Sequence, residues 1–567
     1  MPSKFVYSGT NQNYMKKTII IAAIAMLGAT TVSAEVSKVW VPDLGNGMYK
    51  NPVIFADYSD PDAVRGPEGD YWMTASSFAC TPGLPILHST DLVNWEIVNY
   101  ALPAVPPYDF YNAAPRHGKG VWAPSIRWHD GMYYIYWGDP DFGIFMTKTA
   151  DPRGKWSEPV LVKAGRGMID PVPLWDDDGK VYLAHAWAAS RAGFNSIVTV
   201  FELSPDGERA ISEPVLVFDG NDGINHTIEG PKLYKRNGWY YIFAPAGGVE
   251  KGWQLAMRSR SVYGPYEVKR VMEQGKTPVN GPHQGAWVDD AAGQSWFIHF
   301  QDRGPYGRVV HLNPMRWKDD WPVIGSDPDG DGCGNPVLTH KKPVAAMPDG
   351  ARLTPQTDDD FASDTLGLQW EWHGNPGLDY GFATRQGFFR LYSYRTPKDY
   401  ANLWTVPNLL LQKFPAEEFT ATAKVRVSAK ATGEGAISGI VVMGWDYSCL
   451  GLEKRGDNFV MKRISCTDAE QGTPETMQDI AVIAPTRSYN AGLYPNHECD
   501  IWLRVHVGRG ALCTFSYSTD GKRWHEAGTA FKARQGKWIG AKLGLFSITP
   551  DTVDRGWMDI DSFLITK

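Results

Sequence analysis

The 567-residue sequence predicts an all-β chain, a five-bladed β-propeller followed by a β-sandwich, on three observations. A turn glycine with an aromatic three residues later recurs at Gly69/Trp72, Gly131/Tyr134, Gly179/Tyr182, Gly238/Tyr241 and Gly293/Trp296. The copies lie roughly 50 to 60 residues apart, which fits one four-stranded blade. Beyond a Gly-, Pro- and Asp-rich stretch near 326–350, short alternating strands resume with the spacing of a sandwich.

The repeated unit is plainest between His226 and Ala246. Glu229 is a lone acid in a short apolar run, followed by Gly-Pro where a buried strand residue is expected. Asn237-Gly238 then signals a hairpin turn, and Trp239 to Phe243 alternates as an aromatic strand. Nine residues before the five glycines stand Asp60, Trp122, Asp170, Glu229 and Gln284. Strands alternate faces with period two and each blade sets its first strand at the central channel, so equal offsets place these side chains in one layer around it. Three of the five are carboxyl groups.

Upstream, an export signal starts at Met15, with Lys16-Lys17 as its basic region, Thr18 to Leu27 as its apolar core and Val32-Ser33-Ala34 as its cleavage site. Residues 1–14 form an upstream extension. The apolar core falls short of the roughly 18 to 20 residues that a membrane span needs, and Glu35 leaves no cysteine for a lipid anchor directly after the cut. The expected division is 1–34 extension and signal, 35–345 propeller and 346–567 sandwich, in a protein exported to the periplasm or beyond without membrane insertion. A net charge of −7 argues against a nucleic-acid partner, which would call for a basic face. None of the six cysteines forms a CxxC pair, and the four in the last 120 residues leave room for one or two disulfides in an oxidising compartment. Asp327, Asp329 and Asp331 alternate as in a calcium loop, but Leu338 stands where a bidentate Glu is needed, so the segment reads as a polar turn. Oligomeric state is not legible.

Five further segments, in register with the repeats, resemble glycoside hydrolase family 43, the β-xylosidase and α-L-arabinofuranosidase family. They are Asn51-Pro52-Val53-Ile54 leading to Ser59-Asp60-Pro61-Asp62, Trp122-Ala123-Pro124-Ser125-Ile126, Met168-Ile169-Asp170-Pro171, Ile228-Glu229-Gly230-Pro231 and Gly281-Pro282-His283-Gln284-Gly285. Leu366 to Trp370 is similar to the opening of the concanavalin-like, jelly-roll sandwich appended to many of its β-xylosidases.

The resemblance implies an exo-acting, inverting hydrolase that releases terminal xylose or arabinofuranose from plant-polysaccharide fragments. It makes Asp60 the general base, Glu229 the general acid, and Asp170 the residue that orients Glu229 and raises its pKa. Inversion asks for two carboxyl groups roughly 6.5 to 9.5 Å apart with a water between them. Asp62 reads as a solvated turn residue beside the base. Phe78, Trp122 and Trp187 are the expected pocket wall, with Gln284 and Arg308 as further substrate contacts and Arg303 as a rival to Arg308. His283 resembles the histidine that faces a calcium ion or water cluster in several members, so a structural calcium is an expectation, while no cofactor is required. The Ser-Asp-Pro-Asp spelling departs from the commonest Pro-Asp-Pro-Ser and leaves the sugar open. Two alternatives stand: a retaining, fructan-type propeller, and a non-catalytic sugar-binding propeller. The sandwich either closes one side of the pocket or binds polysaccharide separately.

Overall fold

The computed structural model describes residues 36–345, 352–428, 432–491 and 494–567, less positions 552 and 554. The expected export signal lies outside them. Five antiparallel four-stranded sheets follow one another between Asp62 and Ile324, each with its strands in chain order. They are the five blades. Their first strands are Asp62–Arg65, Trp122–His129, Met168–Trp175, Lys232–Arg236 and His283–Asp289.

All five repeat glycines close the turn between the first and second strands, with φ from 70° at Gly238 to 90° at Gly69. A side chain there would be strained, which is why glycine recurs. The aromatic three residues later is buried in every blade, Trp72, Tyr134, Tyr182, Tyr241 and Trp296 being at most 7% exposed. These rings pack within and between blades, as Tyr241 and Phe243 do with Phe297 of the next sheet.

Two turn lengths hide behind the common spacing. Blades two and four turn tightly, pairing His129 with Met132 and Arg236 with Trp239. Blades one, three and five pair Arg65 with Tyr71, Trp175 with Val181 and Asp289 with Ser295, and so loop further. Relative to the strand end, the residue nine before the glycine therefore moves by two positions between the two groups, which preserves its face. What differs is the backbone kink at the channel. Positive φ falls on Asp60, Asp170 and Gln284 in the long-turn blades but one residue later, on Ala123 and Gly230, in the tight ones.

The segment before blade one closes the ring. Met48–Lys50 pairs with Thr339–Lys341, and Asn51 caps the third strand of blade five, accepting from Leu312 N–H at 2.9 Å and donating to Leu312 O at 2.7 Å. Ile54 exchanges both backbone hydrogen bonds with Val310. The Asn-Pro-Val-Ile motif is thus a structural latch that delivers Asp57 to Asp60 into the channel.

Beyond 352, an eight-stranded and a nine-stranded sheet are found among the described residues, stacked over an apolar core that includes Phe419, Ile440, Leu450, Leu503, Leu545 and Phe563. The same core takes in Phe55, Tyr306 and Val309 of the propeller, so the two domains share buried surface. The stretch from Trp538 to Phe546, which alternates like a strand, forms one only from Lys542 to Thr549; Trp538 to Gly540 is a loop against the propeller. All six cysteines are free thiols, five of them buried, and the disulfides that the sequence allowed are not formed.

Candidate active site

Asp60 lies just ahead of blade one's first strand, in a positive-φ conformation that turns its side chain out of the strand alternation. Ser76 Oγ donates to its Oδ2 at 2.6 Å, and Arg308 Nη1 reaches both carboxylate oxygens, at 3.0 and 3.3 Å. Ser76 Oγ also accepts from Ala123 N–H at 2.7 Å, which ties the acid's support to blade two. Arg308 is held in turn by Ser59 Oγ at 3.1 Å and lies over the Phe300 ring. Asp60 is therefore fixed in orientation by groups of blades one and five, with blade two behind Ser76.

Asp170 sits on a bulge of blade three, where the ladder slips between Ile169 and Val172. Its Oδ2 accepts from Gly230 N–H at 2.8 Å, which places it against the residue that follows Glu229. A Cβ at Gly230 would meet Gln284 at 2.5 Å and would carry φ of +56°, so this contact demands glycine. Burial, and then the negative charge of Glu229, push the Asp170 carboxyl well above the usual carboxylate range; the Gly230 N–H and Lys232 oppose this and Asp60 adds to it. Glu229 is more open: its side chain keeps 35% exposure and its Oε1 lies 3.2 Å from His283 Nε2. The three acids thus belong to one electrostatic unit, as the repeat spacing predicts.

Below them is a buried cation that sequence reasoning missed. Lys232 is 0% exposed, donates to Pro124 O at 3.0 Å and lies 3.9 Å from Asp62. Burial lowers its pKa, opposed first by Asp62. Asp62 corrects the sequence reading, because it is no solvated turn residue. It is fully buried, and its Oδ2 accepts from Arg127 Nη1 at 2.7 Å and from Ile126 N–H at 2.8 Å. Asp62 so joins blades one, two and four beneath the acids. The adjacent Pro61 and the loop-like spelling had hidden that role.

Two of the three rings expected in the wall come together. Phe78 and Trp122 meet edge to face at 6.3 Å, and Trp538 of the sandwich extends the row, 5.9 Å from Trp122. Trp187 departs from this wall: it packs on His185 and Phe194 and donates to Thr199 Oγ1 at 3.1 Å. Gln284 is buried against Gly230, and its Nε2 has no protein acceptor. Of the two arginines Arg308 is at the acids; Arg303 instead pairs with Glu417 of the sandwich at 3.3 Å. His283 touches Glu229, and among the described residues no group of three His, Cys, Asp or Glu side chains could hold a metal ion. One imidazole beside one carboxylate falls short of the roughly six to eight oxygen ligands that calcium takes.

Carboxyls of such different exposure, held in one electrostatic unit, can donate and accept protons, and comparison with known proteins gives the family. The family model for glycosyl hydrolases family 43 matches residues 49–322, and that for the β-xylosidase C-terminal concanavalin A-like domain matches 358–566. A putative β-xylosidase of Xylanibacter ruminicola is 37% identical over 88% of this chain and 86% of its own length. A non-reducing end α-L-arabinofuranosidase of Bacteroides ovatus is 30% identical over 75% of this chain and 80% of its own. The crystal structure of a family 43 protein of Bacillus licheniformis superposes with a TM-score of 0.75 at 25% identity, over 92% of this chain and 99% of that one. With both domains matched and likeness running through most of the chain, this protein belongs to glycosyl hydrolases family 43 and is a glycoside hydrolase.

Proposed function

We propose that this hydrolase removes terminal xylose or arabinofuranose from plant-polysaccharide fragments by single-displacement inversion, with Glu229 as acid, Asp60 as base and Asp170 as the partner that holds Glu229. The observation that carries the proposal is the contrast in burial between the two coupled carboxyls: Asp170 is 4% exposed, whereas the Glu229 side chain keeps 35%. Glu229 can therefore reach a leaving oxygen, while Asp170 faces only protein. Burial and the charge of Glu229 hold the Asp170 carboxyl well above the usual range, so the pair keeps one proton to a higher pH than a lone carboxyl would. On Asp60 the Ser76 and Arg308 contacts fix the carboxylate's orientation, leaving it to take the proton of an attacking water as that water adds to the anomeric carbon. The scheme needs no cofactor.

The relatives' names favour a pentose as the sugar removed, and the rings of Phe78, Trp122 and Trp538 favour a closed end over an open cleft. Export through the Met15 signal is part of the same proposal, since such fragments arise outside the cell. The test is to follow an aryl β-xyloside and an aryl α-L-arabinofuranoside by proton NMR. At least one should be cleaved, with the inverted anomer appearing first. Initial retention would reject Asp60 as a base in favour of the fructan-type, covalent route, and turnover of neither would reject the pentose.

A further inference from the structure

A groove of about 490 Å³ opens between the outer edge of blade two and blade three. It is within the roughly 300–1,000 Å³ span of small-molecule sites. Met168, Trp187 and Thr199 lie along it, and Phe194 and Leu216 flank it. Phe194 is 45% and Leu216 53% exposed, and Leu161 and Val215 beside them are also exposed. Exposed apolar side chains gathered around one depression mark a binding surface more than scattered ones do.

Two features indicate what it binds. The first is continuity with the catalytic centre: Met168 pairs with Trp187 across the ladder and stands two residues before Asp170. The second is mixed chemistry. The rings of Trp187 and Phe194 meet at 5.0 Å, and Lys163 and Glu213 lie 3.5 Å apart within the same lining. A sugar ring has an apolar C–H face and hydroxyls around its rim, which calls for flat rings flanked by polar groups, and Lys163, Arg166 and Glu213 supply those donors and acceptors along the groove.

We infer that this groove holds the sugar chain beyond the terminal unit, so that the enzyme grips its substrate several units from the cleaved bond. The inference rests on the oligosaccharide substrate proposed above and deepens it. It also accounts for Trp187 lying away from Trp122 while remaining beside the catalytic strand.

The experiment compares the full-length protein with Phe194→Ala and Leu216→Asn. KM is measured on an aryl glycoside and on unbranched xylo-oligosaccharides of two to five units. For the parent protein KM should fall as units are added. In both variants that fall should flatten, with KM for the longer substrates rising about tenfold, the loss expected from about 1.4 kcal/mol of binding, while kcat/KM on the aryl glycoside is unchanged. A parent KM independent of length, or equal losses on short and long substrates, overturns the inference. So does concentration-dependent self-association that Leu216→Asn abolishes, because the patch would then be an interface between copies. Calorimetric titration of the same oligosaccharides into Glu229→Gln reads the groove without turnover. Length-dependent binding there with no hydrolysis by the parent overturns only the reaction, whereas length-independent binding overturns only the groove.

Discussion

Asp60 and Asp62 stand two residues apart on one chain, both buried, yet Asp60 meets Arg308 and Ser76 while Asp62 meets Arg127. The positive φ at Asp60 separates them, and no residue pattern announces it, which is why their common motif suggested one buried acid and one exposed one. The assigned roles make opposite demands on the leaving group. Glu229→Gln should cripple hydrolysis of natural oligosaccharides but spare much of the rate on an aryl glycoside, whose phenolate departs unaided. Asp60→Asn should lose roughly 10²- to 10⁴-fold on both, since the water then lacks its proton acceptor. Stopped assays on the two substrate types check this, and equal losses for Glu229→Gln on both would mean the acid is misassigned. Asp170→Asn deletes the carboxyl that burial and Glu229 hold well above the usual carboxylate range, so the basic limb of the kcat/KM profile, which reports the pair, should move to lower pH. An unmoved limb would leave Asp170 with an orienting role alone.

At the scale of elements, the turn glycines and the aromatic strands were legible because each has a local cause: a positive φ for one, a buried pleated face for the other. The two turn lengths were not legible, since a glycine at fixed spacing looks the same in a tight and in a wide turn. The loop around Trp538 was hidden for a similar reason, as its alternation continues that of the strand after it. It nevertheless brings Trp538 edge to face against Trp122, a contact that the repeat pattern does not contain. A second tight approach sits opposite, where a Cβ on Gly307 would lie 2.4 Å from the Asp57 carboxyl carbon at a φ of +72°. Gly307→Ala should cost about 1–3 kcal/mol of stability and, by displacing Arg308, lower kcat/KM. Thermal unfolding and aryl-glycoside kinetics measure the two effects, and full activity in a destabilised variant would separate Gly307 from the site.

Over the whole molecule, propeller and sandwich are joined by charge as well as by the shared apolar core. Glu371 is buried in ion pairs with Lys413 and Lys542, just where the sheets of the sandwich meet the propeller's Tyr58. Burial alone would raise its pKa, but the two lysines outweigh that and bring it down to about 2. A carboxyl depressed in the folded state adds stability above its unfolded pKa and loses it as pH falls through the folded value. The contribution is therefore complete above roughly pH 4.5 and should disappear as the pH falls towards about 2. Unfolding titrations of the parent and of Glu371→Gln should accordingly differ near neutral pH and converge in acid; parallel curves would show that the pair contributes nothing.

Asp57 gives that union a further meaning. One of its oxygens accepts from Arg308 N–H at 2.9 Å and the other from Gly540 N–H at 2.8 Å, so a single buried carboxylate spans the backbone of the arginine that holds Asp60 and the backbone of the sandwich loop that carries Trp538. Cut away the sandwich, and Asp57 loses half of its partners at the moment it is wetted. The two domains are then not interchangeable modules. A propeller joined to another domain would need a replacement partner to offer an N–H at the same spot, which ties the placement of the arginine that holds Asp60 to a loop more than two hundred residues away in the chain.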